Sequence, residues 1–138
     1  MIKKILVAFD GSKPSERAFE WALEVAKQFH SNITVLSVAR PSEPATAVET
    51  QALLEAAGEH FEQEFKRLLA DGKTNGIPVD TKIVVGHPAE QIVHYATEGK
   101  FDLIVMGHRG RSLFERWLLG SVSKRVLSYA PCTATVVR

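Results

Sequence analysis

Three glycines and a serine with wide spacing follow a short apolar run near the end of the chain. They are Gly107, Gly110, Gly120 and Ser121, in the pattern G-x2-G-x9-G-[ST]. Glycines let a backbone approach a ligand closely and adopt positive φ, and amides at the start of a following helix point at an anion. From residue 107 to 125 there are five basic residues and one acidic residue. The pattern predicts a loop that wraps around a phosphate chain.

Hydroxyls and cations beside the last glycine favour an anion site, but they have a second interpretation. Ser121 and Ser123 can donate hydrogen bonds to a phosphate. Lys124 and Arg125 fall in the first turn of a predicted helix, where cations oppose the helix dipole unless an anion is bound. Both could equally point into solvent, and the glycines could be turn residues at the ends of a long connection. The loop matches neither G-x-x-x-x-G-K-[ST] nor G-x-G-x-x-G.

The other titratable residues form no recognisable catalytic or metal-binding pattern. None of the five histidines pairs at i, i+4 with another zinc ligand. Asp10 could hold Mg²⁺ through water, or it could be a turn-forming residue before Gly11. Cys132 starts an apolar strand and is interpreted as a small core residue. No residue pair stands out as a general base with an orienting partner, so we assign no catalytic residue.

Composition bounds the class of protein. The 138 residues fit a single domain, and 45% of them are hydrophobic, enough for a sizeable core. Lys and Arg number 17 against 16 Asp and Glu, a net charge of +1 that gives no reason to expect nucleic-acid or membrane binding. The single cysteine indicates a reducing compartment, and no run is long enough to cross a bilayer. We therefore expect a cytoplasmic protein.

Strand and helix patterns alternate along the whole chain. Apolar, β-branched runs predict five strands, and helical spacing of apolar residues predicts four helices, the first with Ser15 as its N-cap. The strands are predicted at 4–9, 32–38, 79–85, 101–106 and 132–137, and the helices at 15–30, 47–70, 86–100 and 121–130. This alternation is typical of a parallel sheet covered on both faces. Ligands of such folds bind beyond the carboxyl ends of the strands, where the winding reverses.

With these elements in place, the chain resembles the universal stress protein family. The pattern G-x2-G-x9-G-[ST] is that family's nucleotide-binding signature. The resemblance covers the whole chain, so we expect one domain over residues 1–138. The most similar stretches are KILVAFDGSKPSERAFEWA, HPAEQIVHYA, FDLIVMGHRGRS and LGSVSKRVLSYAPCTATVV.

The resemblance implies an α/β, Rossmann-like fold: an open five-stranded parallel sheet in the order 3-2-1-4-5, with helices on both faces. It also implies that ATP is the ligand, with which the Mg²⁺ considered above for Asp10 would be bound. By position, the Val38 backbone would bond adenine, Met106 and Gly107 would border the ribose, and Asp10 would lie at the ribose and phosphate entrance. The implied nucleotide-binding residues are Ala8, Asp10, Val38, Met106, Gly107, Arg109, Gly110, Gly120, Ser121, Val122 and Ser123.

For function, the resemblance implies an ATP-binding regulatory or stress-tolerance protein with slow hydrolysis at most. Two alternatives stay open: a genuine ATPase, and a dimeric interaction or scaffold protein whose nucleotide is incidental. A homodimer is expected through the apolar terminal strand Thr133–Val137. As the edge of a sheet, that strand would leave amides unpaired, and family members cover it by pairing two copies.

Overall fold

A computed structural model describes residues 1–41, 46–108 and 120–138. Strands and helices alternate through these residues, as the sequence predicts. The strands are β1 (Lys4–Ala8), β2 (Asn32–Ala39), β3 (Val79–Val85), β4 (Leu103–Gly107) and β5 (Thr133–Val137). The helices are α1 (Lys13–Phe29), α2 (Ala47–Thr74), α3 (Pro88–Glu98) and α4 (Ser121–Tyr129). In this part of the chain, no helix combines the length and the apolar character that a membrane span requires.

The five strands form one parallel sheet in the order β3-β2-β1-β4-β5. This confirms the strand order that the family resemblance implies. Alternate residues of β1 serve opposite cores: Ile5 and Val7 pack with α1 and α2, and Leu6 packs with α3 and α4. The central strand is therefore buried on both faces, which explains its continuous apolar sequence.

Helix α1 begins earlier than predicted, so the assignment of Ser15 as its N-cap is wrong. The N-cap is Ser12, whose side chain accepts a hydrogen bond from the Ser15 amide, and Pro14 lies in the first turn. Proline suits that turn because its missing N–H would have no helical partner there. The Ser15 hydroxyl donates back to the Ser12 carbonyl at 2.8 Å. Both serines thus belong to the cap of α1.

Helix α2 ends later than the predicted Ala70. The stretch DGKTNGIP that follows Ala70 has the residue types of a turn, but its first residues continue the helix. The helix starts with a capping box of Thr46 and Glu49 and continues to Thr74. Gly72, interpreted as a turn residue, is buried inside the last turns. A Cβ built on it would lie 2.3 Å from Val79 Cγ2. The glycine therefore lets α2 approach the start of β3, and the turn begins only after the helix.

Candidate functional site

A crevice opens where the winding of the sheet reverses. β1 and β4 are neighbours in the sheet, but the chain leaves β1 for α1 on one face and β4 for α4 on the other. The two connections diverge, and they leave a gap beyond the carboxyl ends of these strands. A cavity of about 400 Å³ occupies this place. That volume falls within the range of small-molecule sites.

Nine of the eleven predicted binding residues line this cavity. Arg109 and Gly110 lie outside the described residues. The nine are Ala8, Asp10, Val38, Met106, Gly107, Gly120, Ser121, Val122 and Ser123. They come from the ends of β1, β2 and β4 and from the start of α4, although up to 115 positions separate them in sequence. The structure thus brings the predicted set together at one edge of the sheet.

Six further lining residues were not predicted. Leu36 precedes Val38 by two positions, so strand periodicity places both on one face of β2. Ser12 is the N-cap of α1 and Ser15 lies in its first turn, and their position just after β1 is the only sequence signal that could have found them. Pro88 and Ile92 come from the first turns of α3, and no local pattern distinguishes them from ordinary helix residues. The six are Phe9, Ser12, Ser15, Leu36, Pro88 and Ile92.

The cavity has one apolar wall and one polar wall. The side formed by β2 and α3 presents Leu36, Val38, Pro88 and Ile92. The side formed by the starts of α1 and α4 presents the serine hydroxyls and glycine backbone. Helix starts carry partial positive charge, because their first amides have no helical acceptor. The arrangement suits a molecule with a flat apolar end and an anionic end.

Backbone hydrogen bonds hold the two ends of the glycine-rich segment together. The Gly120 amide donates to the His108 carbonyl at 3.1 Å, and the His108 amide donates to the Val137 carbonyl at 2.7 Å. The segment therefore leaves β4 and returns to the same point. Helix α4 then starts directly at the end of β4, so its first turn lines the cavity.

Among the described residues, no side chain caps the start of α4. Its N-cap is Gly120, which has no side chain to accept a hydrogen bond from the first-turn amides. Gly120 has φ −64° and ψ 155°, an extended conformation that any residue adopts, so of the two roles that a glycine can have here, close approach or positive φ, the second does not apply. What the glycine supplies is the absence of a side chain in front of the amides.

The two predicted hydroxyl donors differ in their contacts. The Ser123 hydroxyl donates to the Gly107 carbonyl at 3.0 Å, and the residue is buried. This bond ties α4 to the end of β4, so the Ser123 proton is already engaged. Ser121 is exposed, and its hydroxyl remains a donor for a ligand.

The cations of α4 do not mark the anion site. Neither Lys124 nor Arg125 is among the described residues that line the cavity. Arg125 lies 3.8 Å from Glu90, and both side chains are largely exposed. The solvent-facing interpretation therefore accounts for these residues, which are both exposed.

Asp10 takes part in the turn between β1 and α1. Its Oδ1 accepts from the Ser12 amide at 2.9 Å, and Gly11 has φ 83°, so the turn-forming interpretation holds. Within the described ranges, no group of three His, Cys, Asp or Glu residues could hold a metal ion. Cys132 packs at the edge of the core of α3 and α4, where burial raises the pKa of its thiol.

Comparison with known proteins gives one family. The model of the universal stress protein family matches residues 1–138. A universal stress protein of Methanocaldococcus jannaschii is 34% identical over 142 residues, which cover 100% of this chain and 83% of the relative. The structure of the universal stress protein UspA from Lactobacillus plantarum superposes with a TM-score of 0.82 at 29% identity, covering 99% of this chain and 98% of its own.

Two further solved universal stress proteins share the fold and hold adenine nucleotides. One is a complex with cAMP, with a TM-score of 0.77 at 24% identity, covering 99% of this chain and 97% of its own. The other, from Archaeoglobus fulgidus, is a complex with dAMP, with a TM-score of 0.71 at 22% identity and full coverage of both chains.

Proposed function

The chain belongs to the universal stress protein family, and from this premise we propose that it is a regulatory or stress-tolerance protein that binds ATP. The observation that carries the proposal is the cavity at the switch point, whose apolar wall and helix starts face each other. An adenine nucleotide has the matching character, with a flat base at one end and phosphates at the other. The cAMP and dAMP complexes of proteins with this fold support the same ligand class.

The base end of the ligand would lie against β2 and α3. Leu36, Val38 and Ile92 supply apolar contacts there, and the Val38 backbone would bond the base edge. Met106 and Gly107, at the end of β4, would border the ribose. Burial of the base against this wall would provide the non-directional part of the affinity.

The phosphate end would lie at the start of α4. The first-turn amides of Ser121, Val122 and Ser123 would donate to phosphate oxygens, since no side chain among the described residues caps them. The Ser121 hydroxyl would add one more donor. Arg109 and Gly110, predicted to surround the phosphates, lie outside the described residues and remain sequence-based expectations.

Mg²⁺ would be held mainly by the triphosphate and water. Asp10 is the one carboxylate among the described lining residues, and one of its oxygens accepts from the Ser12 amide. A carboxylate at this place would fit a water-mediated contact, the usual mode for magnesium. Because this carboxylate is engaged in a turn, it makes a poor general base. We therefore expect turnover well below the ~1–100 s⁻¹ of kinases.

Calorimetric titration of ligand-stripped protein with ATP and Mg²⁺ tests the proposal, and Gly120→Asp sharpens it. An aspartate at this N-cap would accept from the first-turn amides and stabilise ligand-free α4 by roughly 0.3 kcal/mol relative to glycine. The same carboxylate would repel phosphate and occupy its donors. We expect higher stability together with loss of ATP binding.

Arg125→Ala is the matched control for Gly120→Asp. It lowers the net charge by the same one unit within the same helix, at a residue that pairs with Glu90 outside the cavity wall. Its ATP affinity should stay within about twofold of the wild type. If folded wild-type protein gives no heat with millimolar ATP and Mg²⁺, or if Gly120→Asp binds ATP as well as the wild type does, the proposed site is wrong.

The outer edge of β5 favours the further proposal that the protein is a homodimer. β5 ends the sheet, and the neighbouring α4 leaves Leu127 and Tyr129 exposed. The His108 amide bonds the Val137 carbonyl, so Val137 faces β4. By alternation, Ala134 directs its N–H and C=O to the open edge. A second copy pairing there would satisfy those groups.

Ala134→Pro tests the homodimer. It removes an edge donor and leaves the bonds to β4 intact, so the protein should become monomeric by light scattering. Ala134→Val, which keeps the N–H, should remain dimeric. A wild-type monomer at high micromolar concentration would contradict the dimer without affecting the nucleotide proposal.

A further inference from the structure

A buried serine near the end of β2 donates a hydrogen bond to the carbonyl of the residue that follows β1. Ser37 is 1% exposed, and its hydroxyl donates to the Phe9 carbonyl at 2.6 Å. Strand alternation puts the Ser37 side chain on the same face as Val35, which belongs to the core of α1 and α2. A hydroxyl on that face needs a partner, and the Phe9 carbonyl provides it.

The hydrogen-bond ladder between β1 and β2 shows what this contact replaces. The Asn32 amide donates to the Lys3 carbonyl at the start of the pair, and the Phe9 amide donates to the Leu36 carbonyl at its end. In a parallel ladder, the next bond would run from the Val38 amide to the Phe9 carbonyl. Across residues 1–41, 46–108 and 120–138, no backbone bond joins these two groups. In this structure the Phe9 carbonyl accepts from the Ser37 hydroxyl.

The Val38 amide consequently points past the end of β1. The Ala39 carbonyl accepts from Gly86 on the β3 side, so the peptide groups of Val38, one residue earlier, face the β1 side. The β1–β2 register ends with Ala8 opposite Leu36, and Val38 lines the cavity. Its N–H and C=O therefore lie at the crevice rather than inside the sheet.

We propose that Ser37 is a positioning residue that ends the β1–β2 ladder one bond early and keeps the Val38 amide available to the base of the bound nucleotide. Its hydroxyl does not touch the ligand. The part of this proposal in which the nucleotide base uses the Val38 amide rests on the proposed ATP site. The competition between Ser37 and Val38 for the Phe9 carbonyl does not depend on any ligand.

Ser37→Ala should add one hydrogen bond to the end of the β1–β2 ladder. The Phe9 carbonyl would lose its donor, and the nearest replacement is the Val38 amide, which lies in register for it. ATP would then have to break that bond before its base could use the amide. We expect ATP affinity to fall about twofold to tenfold, the loss of one neutral hydrogen bond. Inorganic tripolyphosphate, which has no base, should bind as it does to the wild type.

The test combines a spectroscopic signature with two titrations. In ligand-free protein labelled with ¹³C and ¹⁵N, a coupling across the hydrogen bond from Val38 N to the Phe9 carbonyl carbon should be present in Ser37→Ala. It should be undetectable in the wild type. Slower hydrogen exchange of the Val38 amide in the variant should accompany it. ATP and tripolyphosphate are then titrated into both proteins by calorimetry.

Ser31→Ala is the matched control. Ser31 is 0% exposed, and its hydroxyl donates to the Ile2 carbonyl at 2.5 Å, at the opposite end of the same strand pair. Removing it deletes an equivalent buried bond far from the cavity. Its ATP affinity should equal that of the wild type, so loss of a buried serine bond cannot by itself explain a change in Ser37→Ala.

The possible failures are distinguishable. If the wild type already shows the coupling between Val38 and Phe9, or if Ser37→Ala lacks it, the ladder argument is wrong whether or not ATP binds. If the coupling appears only in Ser37→Ala but ATP affinity is unchanged, the positioning role is wrong. If wild-type protein does not bind ATP, the proposed function fails, and the base-positioning role fails with it.

Discussion

Replacing Gly107 by alanine should destabilise the fold itself, because this glycine is a packing contact between β4 and α1. A Cβ built on Gly107 would lie 2.6 Å from Pro14 Cβ, 2.7 Å from the Pro14 carbonyl carbon and 2.9 Å from its oxygen. Two of these atoms are backbone, so no rotamer change relieves the overlap. The end of β4 and the start of α1 would have to separate by roughly 1 Å. Overpacking of this kind costs about 1–3 kcal/mol, and we expect ~2–3.

Urea denaturation of ligand-free protein measures this effect. At an m-value of ~2 kcal/mol/M, the midpoint should fall by about 1 M. Gly120→Ala is the control: Gly120 has φ −64°, a value open to alanine, so stability should change by less than about 1 kcal/mol. If Gly107→Ala unfolds at the wild-type midpoint and loses only ATP binding, Gly107 serves ligand approach, and the packing argument is refuted.

Three other substitutions can be predicted from local contacts in the same way. Gly58, inside α2, has no atom within 4 Å of a built Cβ, whereas Gly72 in the same helix has Val79 at 2.3 Å. Gly58→Ala should therefore stabilise by about 1 kcal/mol, and Gly72→Ala should destabilise by ~1–3 kcal/mol, both by urea midpoint. The pKa of Asp102 is lowered, first by the Lys3 amide and then by the Lys4 amide, so its bonds stabilise the fold above about pH 4 and are lost as pH falls further. Asp102→Asn should lower the free energy of unfolding by about 0.5–1 kcal/mol at pH 7, a small amount because the site is exposed. The difference in stability between the variant and the wild type should shrink at pH 3. An equal difference at both pH values would show that the charge of Asp102 does not contribute.

Sequence reasoning predicted the fold well where one element's pattern is self-contained. Apolar, β-branched runs identified all five strands, because a strand that is buried on both faces needs apolar residues at nearly every position. The errors lie at helix ends, where a distant contact decides. Gly72 reads as a turn residue in isolation, and only its approach to Val79 explains why α2 continues. Ser15 reads as an N-cap, but Pro14 is tolerated inside the first turn and moves the cap to Ser12.

The cavity shows a similar division. Asp10, Val38 and Met106 were implied by the family resemblance, and they line the cavity because the strand ends of this fold meet there. Pro88 and Ile92 could not be predicted, because their role depends on how α3 packs across β2. The engagement of the Ser123 hydroxyl by the Gly107 carbonyl was equally hidden, since it joins two elements separated by the glycine-rich segment.

Lys124 and Arg125 lie outside the described cavity lining, which bears on how the proposed site would attract an anion. Arg125 pairs with Glu90, and the described lining contains one carboxylate and no Lys or Arg. The polar groups there are amides at helix starts and serine hydroxyls, which are fixed by backbone geometry. Such donors weaken steeply when their direction changes. Affinity should therefore depend on the contacts that set that geometry, Gly107 against Pro14 and Ser123 on Gly107, more than on the removal of any exposed charge among the described residues.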